Sequence, residues 1–369
     1  MIYFVGLQHE IQGLVSNDVY SLATIDSAVD YFKEHKEIQV DTETEGFDPH
    51  TANLKCFQLG DYHNQFVIQH SKENLDAVKH YLEDNSIIKI FQNAKFDLRF
   101  FLKQGIIIHN VYDTFLAECI LYTGYNFKDP SEPYYIDTSL KRLADKYCNS
   151  FLDKTVRSQI NIKGFTGAVI KYAAEDVKYL SSIKEQQLEK IKELDLENVL
   201  DLENKAVIAF ANLEYNGIEV NITKWNKVSE MTSKLMKDYE AVLDSIIVED
   251  ELFKPIRRRK ENVQIDMFTK QRDTLINWGS PTQKLQILKL IVPEIESTGE
   301  RELMRYRHKH KLFKELLSFN KFKKLADSFG EKFIKHVNTK TGRVHCDIWQ
   351  IISTGRISVS DPKLNWALY

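Results

Sequence analysis

The stretch Ile38-Gln-Val-Asp-Thr-Glu-Thr44 decides the predicted fold. Its apolar residues Ile38 and Val40 alternate with polar ones, which is typical of a short β-strand. Asp41 and Glu43 end that strand, and residues two apart in a strand face the same side. Two carboxylates this close repel each other unless a cation lies between them, and hard ions such as Mg²⁺ prefer oxygen ligands. An Asp-x-Glu at a polar strand end also arises often by chance.

Strand-like and helix-like segments alternate around this stretch through residues 1–190, which predicts an α/β layer. Short apolar runs with flanking turn residues predict strands, and 3.6-residue periodicity predicts helices. The further strands are expected at 54–59, 65–68 and 87–91, and the helices at 72–82, 96–102, 113–122, 140–147 and from 166 or 167 through 180. Ser139 is the expected N-cap of the helix at 140–147. Residues 124–138 are rich in Pro, Asp, Ser and Tyr, which predicts a loop.

Helical periodicity dominates after residue 190. The helices are expected at 194–215, 223–248, 264–277, 282–290 and, rich in lysine, at 302–335. After Gly342 the apolar residues Val344, Cys346 and Ile348 alternate with polar ones, which predicts an extended segment. The pattern therefore predicts an α/β half followed by a mainly helical half.

Composition excludes several classes of protein. The hydrophobic share of 43% and charged share of 28% are ordinary for a globular protein. No apolar run reaches the length of a membrane span, and the apolar start at residues 1–7 has no basic residue or cleavage site, so we expect no membrane segment and no signal peptide. Four scattered cysteines without a CxxC favour a reducing compartment, and we expect a cytoplasmic protein, in a host cytoplasm if it is viral.

The charge is distributed unevenly along the chain. Residues 251–345 contain 22 Lys or Arg against 11 Asp or Glu, although the whole chain has a net charge of −3. A basic segment of this kind, with the clusters 257–260 and 321–324, suits contact with a polyanion, and a solvated charged surface is the alternative.

Two further motifs carry candidate carboxylates. Asn93-Ala-Lys-Phe-Asp97 lies where a predicted strand meets a predicted helix, so Asp97 could instead be a helix cap. In Tyr172-Ala-Ala-Glu-Asp176, the first and last residues share one face of a helix, and Glu175 points off that face. A packing tyrosine with a surface aspartate is the structural alternative. Asp113 is expected to cap a buried helix.

The order of these three motifs resembles motifs I, II and III of the DEDD exonuclease superfamily in its tyrosine-bearing branch, over about residues 20–190. The resemblance implies a ribonuclease H-like 3′→5′ exonuclease domain, with a mixed sheet flanked by helices. It implies two divalent metal ions, Mg²⁺ or Mn²⁺. Asp41, Glu43 and Asp176 would hold one ion, and Asp41 would bridge to the second, with Asp97 nearby or acting through water.

The same resemblance assigns roles near the ions. Tyr172 would orient the attacking water, because a pKa near 10 makes tyrosine a poor base. Thr42, Asn93 and Phe96 are the expected contacts of the terminal nucleotide.

The second half resembles the thumb and the entry to the palm of family A DNA polymerases. The motifs that carry this resemblance are Leu202-Glu-Asn-Lys-Ala-Val, Leu213-Glu-Tyr-Asn-Gly217, Asn277-Trp-Gly-Ser280-Pro281-Thr-Gln283, Tyr306-Arg307-His-Lys-His-Lys311, Gly342-Arg-Val-His345 and Ser353-Thr-Gly355-Arg356-Ile-Ser358. Ser280 is expected as a helix N-cap with Pro281 at the first helical position. Arg307, Lys311 and Arg356 would contact DNA.

The predicted domains are therefore an exonuclease at 1–190, a helical thumb-like DNA-binding domain at 191–340 and the truncated start of a palm at 341–369. The palm aspartates and fingers expected of the family have no counterpart before Tyr369, so we expect no polymerisation by this chain alone. Single-stranded 3′ ends and primer–template duplex are the expected partners, and a second chain carrying palm and fingers is one further candidate partner. No 5′-nuclease segment comes before the first motif at Asp41. In this the sequence resembles phage or organellar polymerases, so we expect a phage-like chain.

Two alternatives stay open. One is a ribonuclease D-like 3′→5′ RNA exonuclease, which predicts a preference for RNA ends. The other is a non-catalytic DNA-binding subunit of a split polymerase, which predicts duplex binding with little cleavage.

Overall fold

The computed structural model describes residues 1–7, 16–153, 156, 160–256 and 276–362. The predicted basic cluster 257–260 and most of the predicted helix 264–277 lie outside these ranges. The chain divides into two compact units, one made of Met1–Ile218 with Arg343–Tyr369 and the other of Glu219–Gly342. The predicted domain boundaries at 190 and 340 stay a prediction, since compactness does not by itself define functional domains.

A mixed β-sheet forms the centre of the first unit. Its strands are β1 (Ile2–Val5), β2 (Ser21–Leu22), β3 (Glu37–Thr44), β4 (Leu54–Gly60), β5 (Gln65–Gln69), β6 (Ile88–Phe91) and β7 (Val111–Asp113). They lie in the order β2-β1-β5-β4-β3-β6-β7, with β4 antiparallel to β3 and β5 and the other pairs parallel. The apolar start of the chain, which was not predicted to be a strand, is β1 and lies inside the sheet.

Helices cover both faces of this sheet. They are α1 (Ile25–Phe32), α2 (Lys72–Glu83), α3 (Ala94–Lys103), α4 (Thr114–Leu121), α5 (Leu140–Cys148), α6 (Ile160–Lys163), α7 (Gly167–Lys178), α8 (Leu180–Glu193) and α9 (Glu197–Asn216). The predicted α/β fold, a mixed sheet flanked by helices, is confirmed. The helix predicted to run from 166 or 167 through 180 ends at Lys178, and Tyr179 separates it from α8.

Side chains on the two faces of the sheet pack into two cores. On one face, Phe4, Cys56 and Val67 pack against Ile170 and Ala173 of α7. The larger core on the other face includes residues of α1, α2, α3, α4, α8 and α9. Strand alternation produces this division, because neighbouring residues point to opposite faces.

The second unit is helical in its described residues. After β8 (Ile218–Glu219) come α10 (Ile222–Glu249), a 3₁₀ helix (Glu251–Ile256), α11 (Pro281–Lys289), α12 (Glu300–Arg305), α13 (Lys311–Phe329) and α14 (Glu331–Ile334). Ser280 caps α11 and Pro281 opens it, as predicted. The lysine-rich stretch predicted to be helical at 302–335 forms part of α12 and all of α13 and α14. It is broken before α13, where the His310 side chain accepts a hydrogen bond from the Leu312 amide as an N-cap, and again at Gly330.

The segment after Gly342 folds against the end of α9 within the first unit. It contains β9 (Arg343–Val344), β10 (Asp347–Trp349) and β11 (Ser358–Ser360), and β10 and β11 pair antiparallel. The extended character predicted for this segment is confirmed. None of the helices in the described ranges has the length and hydropathy that a membrane crossing requires.

Candidate active site

Strand β3 and helix α7 bring three carboxylates together. Ligand oxygens of Asp41, Glu43 and Asp176 all lie within 4.8 Å of one another. Asp41 pairs in register with Gln58 and Glu43 with Cys56, and the face of Cys56 is the one that α7 covers. A helix laid over the end of β3 therefore places Asp176 against the two strand carboxylates.

The local sequence of α7 explains how Asp176 reaches this place. The Thr166 side chain caps the helix by accepting a hydrogen bond from the Val169 amide at 3.3 Å. Apolar residues of α7 then face the sheet, and Tyr172 and Asp176, one turn apart, are both 6% exposed. Glu175 instead lies 3.8 Å from Lys171 on the outer side, so it points off the shared face as expected.

Asp97 joins the site from α3. Its carboxylate accepts a hydrogen bond from the Thr42 hydroxyl at 2.5 Å, and Thr42 stands between the two acidic residues of β3. Asp97 is 2% exposed, and both burial and the charge of Asp41 raise its pKa well above the usual range. The structure thus brings the fourth predicted carboxylate beside the cluster, joined to it through Thr42.

Asp113 caps the neighbouring helix ends. Its carboxylate accepts hydrogen bonds from the amides of Asn93 and Ala94 at 2.8 and 2.9 Å, and from that of Phe115 at 2.9 Å. The expected capping role of Asp113 is confirmed. Asn93, at the N-cap position of α3 with a positive φ of 62°, makes no side-chain capping bond. Asn93 is exposed at the mouth of the site.

The chemistry of the donor set fits hard divalent cations. Three carboxylates with oxygens less than 5 Å apart repel one another, and a cation between them removes that repulsion. Oxygen is the ligand atom that Mg²⁺ and Mn²⁺ prefer. Burial and the charges of Asp176, Glu43 and Asp41 also raise the pKa of the Tyr172 hydroxyl, so that hydroxyl keeps its proton and can donate it in a hydrogen bond.

A cavity of about 480 Å³ lies along α3. Gln92, Asn93, Lys95, Phe96 and Arg99 line one side of it, and residues 347–351 line another. The two sides differ in origin, since one belongs to the exonuclease-like part of the sequence and the other to the extended segment after Gly342. Neither Lys95 nor Arg99 was predicted as a site residue, although Lys95 lies inside the quoted motif ending at Asp97.

Phe47 was also missed by sequence reasoning. It follows Glu43 by four residues, is 77% exposed, and its ring centroid lies 6.4 Å from that of Phe96 in an edge-to-face arrangement. A large aromatic side chain left in solvent next to a carboxylate pair is unusual for packing. That exposure cannot be read from the sequence, where Phe47 looks like any apolar residue of a loop.

The other predicted substrate contacts are on elements that do not carry the carboxylates. Arg307 is exposed between α12 and α13, and Lys311 is exposed at the first position of α13, 3.9 Å from Glu249. Arg356 is exposed in the turn between β10 and β11. Their predicted roles as DNA contacts stay predictions.

Comparison with known protein families gives two matches. Residues 18–192 match the family described as 3′-5′ exonuclease, and residues 250–366 match the family described as DNA polymerase family A. Exonuclease domains of this kind use divalent metal ions, and the acidic cluster agrees with that requirement.

Curated relatives point the same way. DNA polymerase I of Borreliella burgdorferi is 26% identical over 92% of this chain and 36% of its own length. DNA polymerase I of Aquifex aeolicus is 26% identical over 89% of this chain and 53% of its own length. The chain thus spans about a third to a half of these relatives.

A solved structure shows that the fold is shared. The POL domain of Pol1 from M. smegmatis, in complex with DNA primer-template and dNTP, matches 98% of this chain and 55% of its own with a TM-score of 0.65 and 16% identity. The comparisons do not support the predicted second chain, and the phage-like origin and the tyrosine branch stay predictions. By these matches, the chain carries a 3′-5′ exonuclease domain followed by a segment that matches part of DNA polymerase family A, and it is similar to DNA polymerase I.

Proposed function

We propose that this chain removes nucleotides from the 3′ ends of DNA by metal-dependent hydrolysis, as the proofreading part of a family A polymerase. The observation that carries the proposal is the convergence of Asp41, Glu43 and Asp176 within 4.8 Å, inside a segment that matches the exonuclease family. Three carboxylates this close repel one another, so packing of the strand end and the helix does not by itself explain their arrangement.

The carboxylates would hold the metal ions. Asp41, Glu43 and Asp176 form one ligand set. Asp97 is hydrogen-bonded to Thr42, which lies between Asp41 and Glu43 in the sequence, so Asp97 would complete or support a second set. Bound divalent ions at such a site activate a water molecule and stabilise the leaving 3′ oxygen. Mg²⁺ and Mn²⁺ both suit these oxygen ligands, and assays with each ion alone separate them.

Tyr172 would orient the attacking water. Its hydroxyl is buried beside three carboxylates. Its position one helical turn from Asp176 fixes the hydroxyl relative to the ligand set. The expected role of positioning, and not of proton abstraction, agrees with these contacts.

The DNA strand would approach along α3. The exposed ring of Phe47 and the half-buried ring of Phe96 form an aromatic pair on which bases can stack, and such stacking contributes about 1–3 kcal/mol per base. The exposed amide of Asn93 and the ammonium of Lys95 lie on the same path and can contact a base edge or a phosphate. The path therefore combines stacking surfaces with cations, the usual means of holding a single strand without reading its sequence.

DNA is favoured over RNA as the substrate because of the second family match. A segment that matches polymerase family A follows the exonuclease segment in the same chain. Residues 343–362 of that second segment belong to the same compact unit as the exonuclease segment. An RNA-trimming enzyme has no need of that segment. We further propose that Arg307, Lys311 and Arg356 contact the primer–template duplex, and that the protein works in the cytoplasm.

The proposal is tested with 5′-labelled single-stranded DNA and RNA of the same sequence. We expect stepwise shortening of DNA in Mg²⁺ or Mn²⁺ and none in chelator, with slower shortening of RNA. Asp41→Ala should reduce the rate by at least about 10³-fold, because it removes one of the carboxylates that would hold the metal ions, while leaving the far-UV spectrum unchanged.

Asp145→Ala is the matched control. It removes an exposed carboxylate that pairs with Arg142 on α5, and it should leave the rate unchanged. Full activity of Asp41→Ala would refute the site. Faster shortening of RNA would favour the ribonuclease alternative, and duplex binding without any cleavage would favour the non-catalytic one.

A further inference from the structure

One buried carboxylate ties three separate parts of the first unit together. Glu214 of α9 is 2% exposed. Its Oε1 accepts hydrogen bonds from Lys95 Nζ at 2.5 Å and from the Ile348 amide at 2.6 Å, and its Oε2 lies 3.2 Å from Arg99 Nη1. Lys95 also donates to the Ile348 carbonyl. Helix α3, helix α9 and strand β10 therefore meet at this side chain.

The network orients two cations along the cavity. A buried carboxylate must be compensated by charge, and both compensating groups come from α3, on either side of Asp97. An ammonium group has three donors, and the bonds to Glu214 and Ile348 occupy two of those of Lys95. Lys95 itself lines the cavity, as Arg99 does.

We propose that Glu214 is a positioning residue for the exonuclease reaction, acting through Lys95 and Arg99. It fixes the two cations in the orientation that meets the phosphates of the incoming strand, and it makes that orientation depend on the docking of residues 343–351. The inference rests on the proposed function. By linkage, a strand bound in the cavity must in turn stabilise the docked segment.

The direction in which one substitution changes the affinity for DNA separates a positioning role from a purely electrostatic one. Glu214→Gln removes a negative charge from the strand path, so electrostatics alone predicts tighter binding of a polyanion. Positioning predicts weaker binding, because the neutral amide has only one oxygen acceptor and can no longer orient both Lys95 and Arg99. We expect the dissociation constant for a labelled single-stranded oligonucleotide, measured in chelator, to rise roughly fivefold to tenfold. The slope of log affinity against log salt should fall by about 0.7 for each phosphate that the variant no longer binds.

The control is a charge-matched change on the same helix. Asp201→Asn also removes one negative charge from α9, but Asp201 is exposed and pairs with Lys205, at 2.6 Å. It should leave binding unchanged or slightly tighter. With metal present, Glu214→Gln should raise KM for DNA while keeping kcat, a split that a general loss of folded protein would not produce. Unchanged or tighter binding by Glu214→Gln overturns the inference.

A second measurement uses the unaltered chain, in case the variant does not fold. Addition of the oligonucleotide in chelator should slow hydrogen exchange of the Ile348 amide, whose acceptor is Glu214. Exchange that stays the same with the strand bound also overturns the inference. If the unaltered chain neither binds nor shortens DNA, the proposed function itself fails. If it does both and Glu214→Gln binds equally well, only the positioning role fails.

Discussion

Buried ionisable side chains in the first unit are each stabilised by a different set of partners. Asp113 is held by backbone amides, which partly offset the burial that raises its pKa to about 6. Glu214 is held by two cations. Lys89, on β6, is fully buried and donates to the carbonyls of Asp84 and Ile87 at 2.6 and 2.8 Å. Because these two acceptors are neutral, the buried ammonium of Lys89 makes the stability of the first unit depend on pH.

We predict that Lys89 makes the first unit more stable at alkaline pH. Burial lowers its pKa from 10.5 to about 8. Between these values the unfolded chain binds more protons than the folded one, so stability rises with pH. At pH 7 both states are charged and the cost is fully present, about 3 kcal/mol at about 1.4 kcal/mol per pKa unit.

Urea unfolding of Lys89→Met and of the unaltered chain checks this. Between about pH 7.5 and 10.5, the free energy of unfolding of the unaltered chain should rise by up to about 3 kcal/mol relative to that of the variant. Lys205→Met, which changes an exposed lysine, should show no such gain. A difference that is constant with pH would contradict the lowered pKa.

At the level of single residues, the sequence indicated the carboxylates well because their spacing encodes their geometry. A two-residue spacing on β3 and a four-residue spacing on α7 each imply a shared face. Exposure is not encoded in that way. Phe47, Lys95 and Glu214 depend on what packs against them from distant parts of the chain, and single-sequence patterns do not contain that information.

The end of helix α9 shows how one element depends on residues far away. Its last carbonyls accept hydrogen bonds from side chains: that of Glu214 from His345 Nδ1 and that of Tyr215 from His50 Nε2, both at 2.9 Å. Arg343 donates to the carbonyls of Asn216 and Gly217. Carbonyls at a helix C-terminus have no partner within the helix, so these donors stabilise the end of α9.

We predict that Gly217→Ala disrupts this end. Gly217 has φ 60° and ψ −170°, a conformation that is open essentially to glycine alone. A Cβ there would lie 2.6 Å from the Val344 carbonyl oxygen and 2.7 Å from His345 Nδ1. Backbone strain and this clash together should lower the free energy of unfolding by about 3 kcal/mol or more.

The matched control is Gly105→Ala. Gly105 also has a positive φ, 73°, but nothing in the described ranges lies within 4 Å of the added carbon. This variant should be less stable by only about 1 kcal/mol. Urea unfolding of both variants, with limited proteolysis to detect release of residues 343–351, gives the comparison. Equal losses of stability would mean that the close approach of Val344 and His345 contributes nothing.

Elements were predicted best where local chemistry determines them. The caps at Ser139 and Ser280 act within a few residues, and both are found. The apolar start was missed as β1 because only pairing with β2 and β5 makes it a strand. The breaks within the helical stretch at 302–335 were not predicted, because lysine-rich sequence keeps helical spacing while His310 caps a new helix.

Charge asymmetry is the property of the whole molecule with the clearest functional consequence. Residues 251–345 hold 22 Lys or Arg against 11 Asp or Glu in a chain of net charge −3. A polyanion such as duplex DNA would therefore meet one part of the protein preferentially. Binding of this kind releases counterions and weakens steeply with salt.

We predict that Arg307→Ala and Lys311→Ala each weaken duplex binding to a similar degree for all sequences. Each should reduce the slope of log affinity against log salt by about 0.9, the value for one phosphate contact on duplex DNA. Fluorescence anisotropy in chelator, from about 50 to 200 mM salt, measures the slope. Lys205→Ala, on α9 outside the basic segment, is the control. If the slopes are equal in the unaltered chain and all three variants, neither Arg307 nor Lys311 contacts a phosphate of the DNA.

The capped end of α9 also has a consequence for protein synthesis. Asn216 and Gly217 leave the ribosome long before Arg343 and His345, which donate to this turn. At about 5–20 residues per second, the delay is roughly 6 to 25 seconds. During that interval the nascent exonuclease domain has His50 to cap the helix end, while the other two donors are still to be made. Translation speed across residues 218–342 therefore sets how long the first unit stays incomplete.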